Sequence, residues 1–241
     1  MRQTAIWTVI TLLLGGLACR QPAASPKRIP VTTTSAEARS AFLQARELLG
    51  NLRSTEALPL LDQALSKDPD FALAHLLRAQ SAGSPNEFFS HLKSAMAAAG
   101  KVSEGERLWI QGMEAAASGN TQARGELYQK LVAAYPEDEQ AHQILGVHYF
   151  SIQQFDAAIA EFRKASQLAP AFPPAYNQLG YALRAAGKDG EAEAAFRKYI
   201  ELIPNEPNPH DSLAELLMKL GRFDESIQSY RKALSLNPQF L

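Results

Sequence analysis

An all-α solenoid of about six helical hairpins is the fold class this sequence predicts, and three observations predict it. Prolines 136, 170, 204 and 238 stand 34 residues apart, and Pro69 lies 67 before Pro136, one short of two periods. Self-similarity at such a period marks stacked supersecondary units. Within each period the apolar residues recur at the three-and-four spacing of a helix, not the alternation of a strand. Small residues and large aromatics also return at fixed places, as closely crossing helices require. The 46% hydrophobic content suffices for a sizeable core.

Taken in order, the first element lies outside the array. Arg2 precedes an apolar run from Thr4 to Leu17 that holds no acidic residue and ends shortly before the lone Cys19, the composition of an export signal. The run is too short for a helix to span a bilayer, which needs about 20 residues. Gly15-Gly16-Leu17-Ala18-Cys19 resembles the bacterial lipobox, although Gly16 stands where that motif most often has Leu. The resemblance implies diacylglyceryl transfer to the Cys19 sulfur and cleavage after residue 18. The other reading is an ordinary secretory signal cleaved near Ala18, leaving Cys19 an unpaired thiol. No second cysteine exists to form a disulfide. Residues 19–34, with three prolines and little apolar content, read as the anchored cysteine and a flexible tether reaching at most about 50 Å. Arg20 rather than Asp follows the cysteine. By resemblance to Gram-negative lipoproteins, that implies an exported, lipid-anchored protein on the outer membrane facing the periplasm, if the organism has one.

The array follows over 35–241, with units starting at Ala38, Ala72, Gly105, Glu139, Pro173 and Pro207. In the fourth unit Ile144, Leu145, Gly146 and Tyr149 share one helix, and Phe155, Ala158, Phe162 and Ala165 the next, closed by Pro170. The fifth and sixth repeat the plan with Leu179, Gly180, Leu183, Gly187, Ala192 and Phe196, then Leu213, Ala214, Leu217, Gly221 and Tyr230. Phe196 and Tyr230 are expected core fillers. The first unit carries Ala45, Leu48, Ala57, Leu61, Ala64 and Pro69. The second lacks a terminal proline, but Ser84-Pro85-Asn86-Glu87 predicts a capped helix start. In the third, Arg124 replaces the small residue found as Ala158, Ala192 and Ser226, which predicts a wider crossing. Thr34 with Glu37 and Ser103 with Glu106 have capping-box spacing and predict helix starts at the first and third units.

These positions resemble the tetratricopeptide repeat over residues 38–240, most closely in the last three units. The resemblance implies twelve helices wound as a right-handed α-solenoid, each hairpin relying on its neighbours, with function in binding other proteins. The last hairpin's outer face has only Phe240 and Leu241 to cover it, which predicts self-association or a partner surface there.

Charge excludes some classes. The 24 basic and 25 acidic residues leave a formal net charge of -1, without the basic footprint that nucleic acid requires. The five histidines, at 75, 91, 142, 148 and 210, have no metal-ligand spacing, so no metal and no cofactor is expected. Nor is there a phosphate-cradling or nucleophile-elbow motif. The chain is therefore read as no enzyme.

The concave surface of such an array is lined by first-helix positions the packing leaves over: Trp109, Met113, Gln140, Gln143, Val147, Phe150, Asn177, Tyr181, Arg184, Asp211, Glu215 and Lys219. Each either faces the groove or packs within the array. An apolar, aromatic centre with polar groups around it fits a partner segment. The Lys, Asn and Arg set that clamps a chain-terminal carboxylate in part of the family does not occur. The leading reading is a lipid-anchored scaffold or adaptor for envelope proteins of unknown identity. In layout it also resembles the pilotin lipoproteins of type IV pilus assembly. The alternative from another class is an enzyme with Arg184, Asp211 and Glu215 as its polar site, which requires those three to converge in a closed pocket.

Overall fold

The computed structural model describes residues 28–240, so the expected export segment and Cys19 lie outside the described residues. The described residues form twelve α-helices and no strand. They are α1 (Ala36–Gly50), α2 (Ser54–Lys67), α3 (Ala72–Gln80), α4 (Pro85–Ala98), α5 (Glu104–Ala117), α6 (Thr121–Ala134), α7 (Glu139–Ser151), α8 (Phe155–Leu168), α9 (Pro173–Ala185), α10 (Asp189–Leu202), α11 (Pro207–Lys219) and α12 (Phe223–Leu236). A 3-10 turn, Ala99–Lys101, follows α4. Consecutive helices pair as hairpins and each hairpin packs chiefly on the next, which makes the chain an all-α solenoid.

Local chemistry explains the boundaries. Helices α3, α7, α9 and α11 begin at the first residues of the units read from the proline period. At α5 the capping box forms in full: Ser103 Oγ accepts from the Glu106 amide and Glu106 accepts from the Ser103 amide. Ser84 caps α4 with Pro85 in its first turn, but the Glu87 carboxylate accepts from the Gly83 amide rather than from Ser84. At α1 the expectation fails by one residue. Ser35, not Thr34, accepts from the Ala38 amide, and α1 starts at Ala36, because Thr33 and Thr34 belong to the extended segment before it.

Each hairpin except the second turns through the same motif. At Leu52, Gly119, Gln153, Gly187 and Gly221 φ lies between 59° and 75°, the left-handed region that costs least for glycine. The next amide reaches back to the carbonyl that starts the last helical turn, as in Arg53 to Leu48, Asn120 to Ala115, Gln154 to Tyr149, Lys188 to Leu183 and Arg222 to Leu217. This is the Schellman closure. Leu52 and Gln153 adopt it without glycine's freedom.

Close crossings hold each pair together. A Cβ on Gly146 or Gly180 would stand 2.5 Å from the Phe162 or Phe196 ring, and one on Gly112 would meet the Tyr128 ring closer still, so these glycines admit the aromatic ring against the backbone. At the third crossing, too, the Gly112 backbone meets an aromatic ring closely. Arg124 lies over the Tyr128 ring, 5.7 Å from its centroid, and donates to Ser151, with its Nε buried. The buried apolar residues form two clusters, one from Val31 to Leu145 and one from Ala158 to Leu217.

Residues 28–34, expected as the end of a flexible tether, lie against the array. Ile29 N donates to Asp138 at 2.8 Å, Thr32 N to Glu106 at 2.7 Å, and Arg39 donates to the Val31 carbonyl at 2.7 Å. Val31 is buried in the first core cluster. Carboxylates at helix starts and ends have lone pairs to offer, and this segment has amides and hydroxyls to fill them.

Candidate functional site

The hairpins curl until the first meets the fifth. The Gly50 backbone approaches Pro174 so closely that a Cβ would stand 3.1 Å from its ring, and Arg53 pairs with Glu206 at 3.3 Å. Between them lies a partly open cavity of about 1130 Å³. Its walls are α1, residues 28–31, the start of α7, the loop into α9 and the end of α10. Leu43, Leu77, Trp109, Phe172, Pro174 and Leu202 supply apolar surface, and Arg46, Asp138, Glu139, Gln140 and Gln143 polar surface.

Two charged groups on that wall are incompletely paired. Arg46 rests over the Phe42 ring at 5.7 Å and makes no hydrogen bond among the described residues. Burial pulls its pKa below the usual range against the opposing influence of Asp138 and Glu139. Glu139 takes Arg28 on one oxygen at 2.7 Å, while its other oxygen is buried without a partner. Gln140 donates to Gln143 at 3.0 Å.

Of the sequence-predicted groove residues, the cavity brings together Trp109, Gln140 and Gln143. Trp109 is only 4% exposed, so it forms floor rather than a projecting anchor. Met113 packs on the first core, and Val147, Phe150 and Tyr181 on the second. A separate network joins the others. Arg184 pairs with Glu215 at 2.7 Å, and the Tyr181 hydroxyl lies 3.1 Å from Ser212 and 3.3 Å from Glu215. Ser212 donates to buried Asn177, and Lys219 to Asp189 and the Arg184 carbonyl. Burial, with a smaller push from Glu215, raises the Asp211 carboxyl. Arg184 and Glu215 thus hold each other across α9 and α11, their side chains 28% and 36% exposed, rather than converging in a closed pocket.

Sequence reasoning missed Arg39, Leu43 and Arg46 on α1, the loop Phe172–Pro174, and Asp138 with Glu139. No periodic signal marks ring closure; only the fact that α1 begins an array, with its first face unclaimed, could have pointed there. Three of the five histidines have roles that their positions, six residues past a unit-closing proline, could have revealed. The His75, His142 and His210 rings meet the carbonyls of Pro69, Pro136 and Pro204 at 2.9, 3.1 and 3.0 Å, and the Tyr176 hydroxyl donates to Pro170 at 3.2 Å. Among the described residues no group of three or more His, Cys, Asp or Glu is placed to hold a metal ion, and no helix is long and apolar enough to cross a membrane.

Four tetratricopeptide-repeat family models match the chain, over residues 42–82, 146–187, 173–206 and 212–240. No curated protein matches. Among solved structures the chain is similar to MamA of strain MSR-1, at 22% identity over 69% of this chain and 94% of that one, with a TM-score of 0.54. It is also similar to MamA from Desulfovibrio magneticus RS-1, residue 41 to the end, at 17% identity over 86% and 99%, with a TM-score of 0.51. A thermophilic repeat protein of this kind from Thermus thermophilus is 20% identical over 84% and 93%, with a TM-score of 0.51. At these identities the likeness is one of fold.

Proposed function

Because the chain is a tetratricopeptide-repeat protein, we propose that it is a scaffold of the bacterial cell envelope, exported by residues 1–18, held to the membrane by a lipid on Cys19, and binding a segment of a partner protein in its concave groove. The observation that carries the binding role is the cavity of about 1130 Å³ between α1, α7 and the loop into α9. It is large enough for several side chains, apolar on much of its wall, and provided with an unbonded guanidinium at Arg46 and a free acceptor on Glu139. Apolar surface with a few convergent polar groups is the usual character of a binding site, and burial strengthens polar pairing there. The lipobox-like Gly15–Cys19 supports the anchor.

The test compares crosslinking and pull-down from native envelopes for the wild type and an Arg46→Ala, Gln143→Ala double variant of unchanged helicity. A specific envelope protein captured by the first and lost by the second supports the groove. Equal capture by both overturns the groove assignment. The anchor is tested separately: a Cys19→Ser chain should lack the diacylglyceryl mass and leave the membrane fraction, and retention with unchanged mass would sink it.

A further inference from the structure

The chain supplies its own occupant for one edge of this groove, and that occupant describes the partner. Residues 28–33 run extended across the ends of three hairpins. Arg28 pairs with Glu139, Ile29 N donates to Asp138, Thr32 N and Oγ1 donate to Glu106, and Thr33 Oγ1 donates to Asp68 at 2.6 Å. Arg39 donates to the Val31 carbonyl. Glu106 is fully buried beneath this segment. The side of Ile29 packs where Gly105 leaves room, since a Cβ there would stand 3.1 Å from its methyl group and 2.6 Å from Tyr135. Val31 is buried, while Thr32 and Thr34 remain exposed.

We infer that the acidic edge formed by Asp68, Glu106, Asp138 and Glu139 is a recognition site for an extended peptide, and that the partner's segment is basic-apolar-proline-apolar-threonine in character and displaces residues 28–33. This rests on the proposed scaffold role and names its partner's chemistry. Main-chain amides three residues apart fix the register, as when a peptide pairs with a sheet edge, and pockets at alternate positions select side chains. Proline suits the third place because no carboxylate waits for an amide there and its fixed φ favours extension. The segment covers Glu106 and Asp138, which are buried, but of its own described side chains only Val31 is buried, so most of its atoms keep contact with water. A competing segment can therefore replace its bonds one for one.

The test uses a fluorescent peptide, Lys-Arg-Ile-Pro-Val-Thr-Thr-Thr, added to the full chain and to an Ile29→Asp, Val31→Asp variant whose own segment cannot dock. A tethered segment has an effective concentration of about millimolar, so the peptide should bind the variant at least tenfold more tightly than the wild type. A scrambled peptide should bind neither. If the double variant loses helicity, Thr32→Pro, at an exposed position, removes the amide and hydroxyl instead and should give the same gain. Absence of peptide binding to a folded released variant, or equal binding to both chains, overturns the inference. Partner capture without peptide binding would refute this site and leave the scaffold reading standing; peptide binding without any captured partner would do the reverse.

Discussion

The hairpins α7–α8 and α11–α12 stand two periods apart and place small and aromatic residues at matching positions of their crossings, yet they live in different surroundings. Ile159 on α8 is 2% exposed, whereas Ile227, 68 residues on, is 47% exposed. Phe162 is fully buried against Gly146, while Tyr230, the matching aromatic beside Ala214, is only half-buried, contrary to its expected place among the core fillers. The difference is the following hairpin: α9 lies on α8, and no described helix follows α12. In a solenoid a residue's environment is set by the next unit as much as by its own. Phe223 and Met218 of the same hairpin are exposed as well, by 63% and 50%.

The largest expected effect tests that contrast directly. Phe162→Ala removes a fully buried ring and should cost about 3–5 kcal/mol in urea unfolding. Tyr230→Ala should cost about half as much or less, because its ring already meets solvent. Equal losses would mean that the last hairpin's core is as well formed as an internal one. Next in size, Ile159→Ala should cost about 2–4 kcal/mol and Ile227→Ala less than about 0.5 kcal/mol. The uncovered face also bears on association. If copies pair through α12, the mass of the wild type should rise with concentration and Ile227→Asp should abolish the rise; a mass constant at all concentrations would show that the face stays free.

The two hairpins also show what the sequence could reveal. The starts of α7, α9 and α11 were legible to the residue, because Pro170 and Pro204 punctuate a gapless period and a helix breaker acts locally. The small-against-aromatic crossings were legible for the same reason. The cavity was not. It depends on Gly50 meeting Pro174 and Arg53 meeting Glu206, contacts between residues more than 120 apart that leave no periodic trace. Residues 28–34 depart from the expected tether because proline- and threonine-rich composition marks a segment unable to build a core, not one unable to lie along another's. Arg184, Tyr181 and Glu215 were placed correctly on first helices, but spacing cannot say that they would satisfy one another.

A smaller effect is expected at the turn within each hairpin. Gln153 holds φ at 60° where Gly221 holds 73°, so Gln153→Gly removes strain at a left-handed position. It should stabilise the chain by about 0.5–1 kcal/mol, and Gly221→Gln should destabilise it by about 1 kcal/mol. A loss of stability in Gln153→Gly would mean that the glutamine side chain makes a contact worth more than the strain.

The smallest effect depends on pH. Burial disfavours a charge on His142, but the 2.6 Å bond to Glu161 and the Pro136 carbonyl more than offset it, so its pKa lies above the ordinary value of 6.5. The folded chain therefore holds this proton more tightly than the unfolded chain does. The stabilisation is fully present below about pH 6.5 and is lost as pH rises through the raised folded value. His142→Gln should accordingly narrow the gap in melting temperature between pH 5.5 and pH 8.5 relative to wild type. In the last hairpin Ser229 stands where α8 has Glu161, and His210 keeps its proline carbonyl. Glu161→Gln should narrow the gap in the same way; a gap unchanged by either substitution would show that the His142–Glu161 pair, which the last hairpin lacks, does not link protonation to stability.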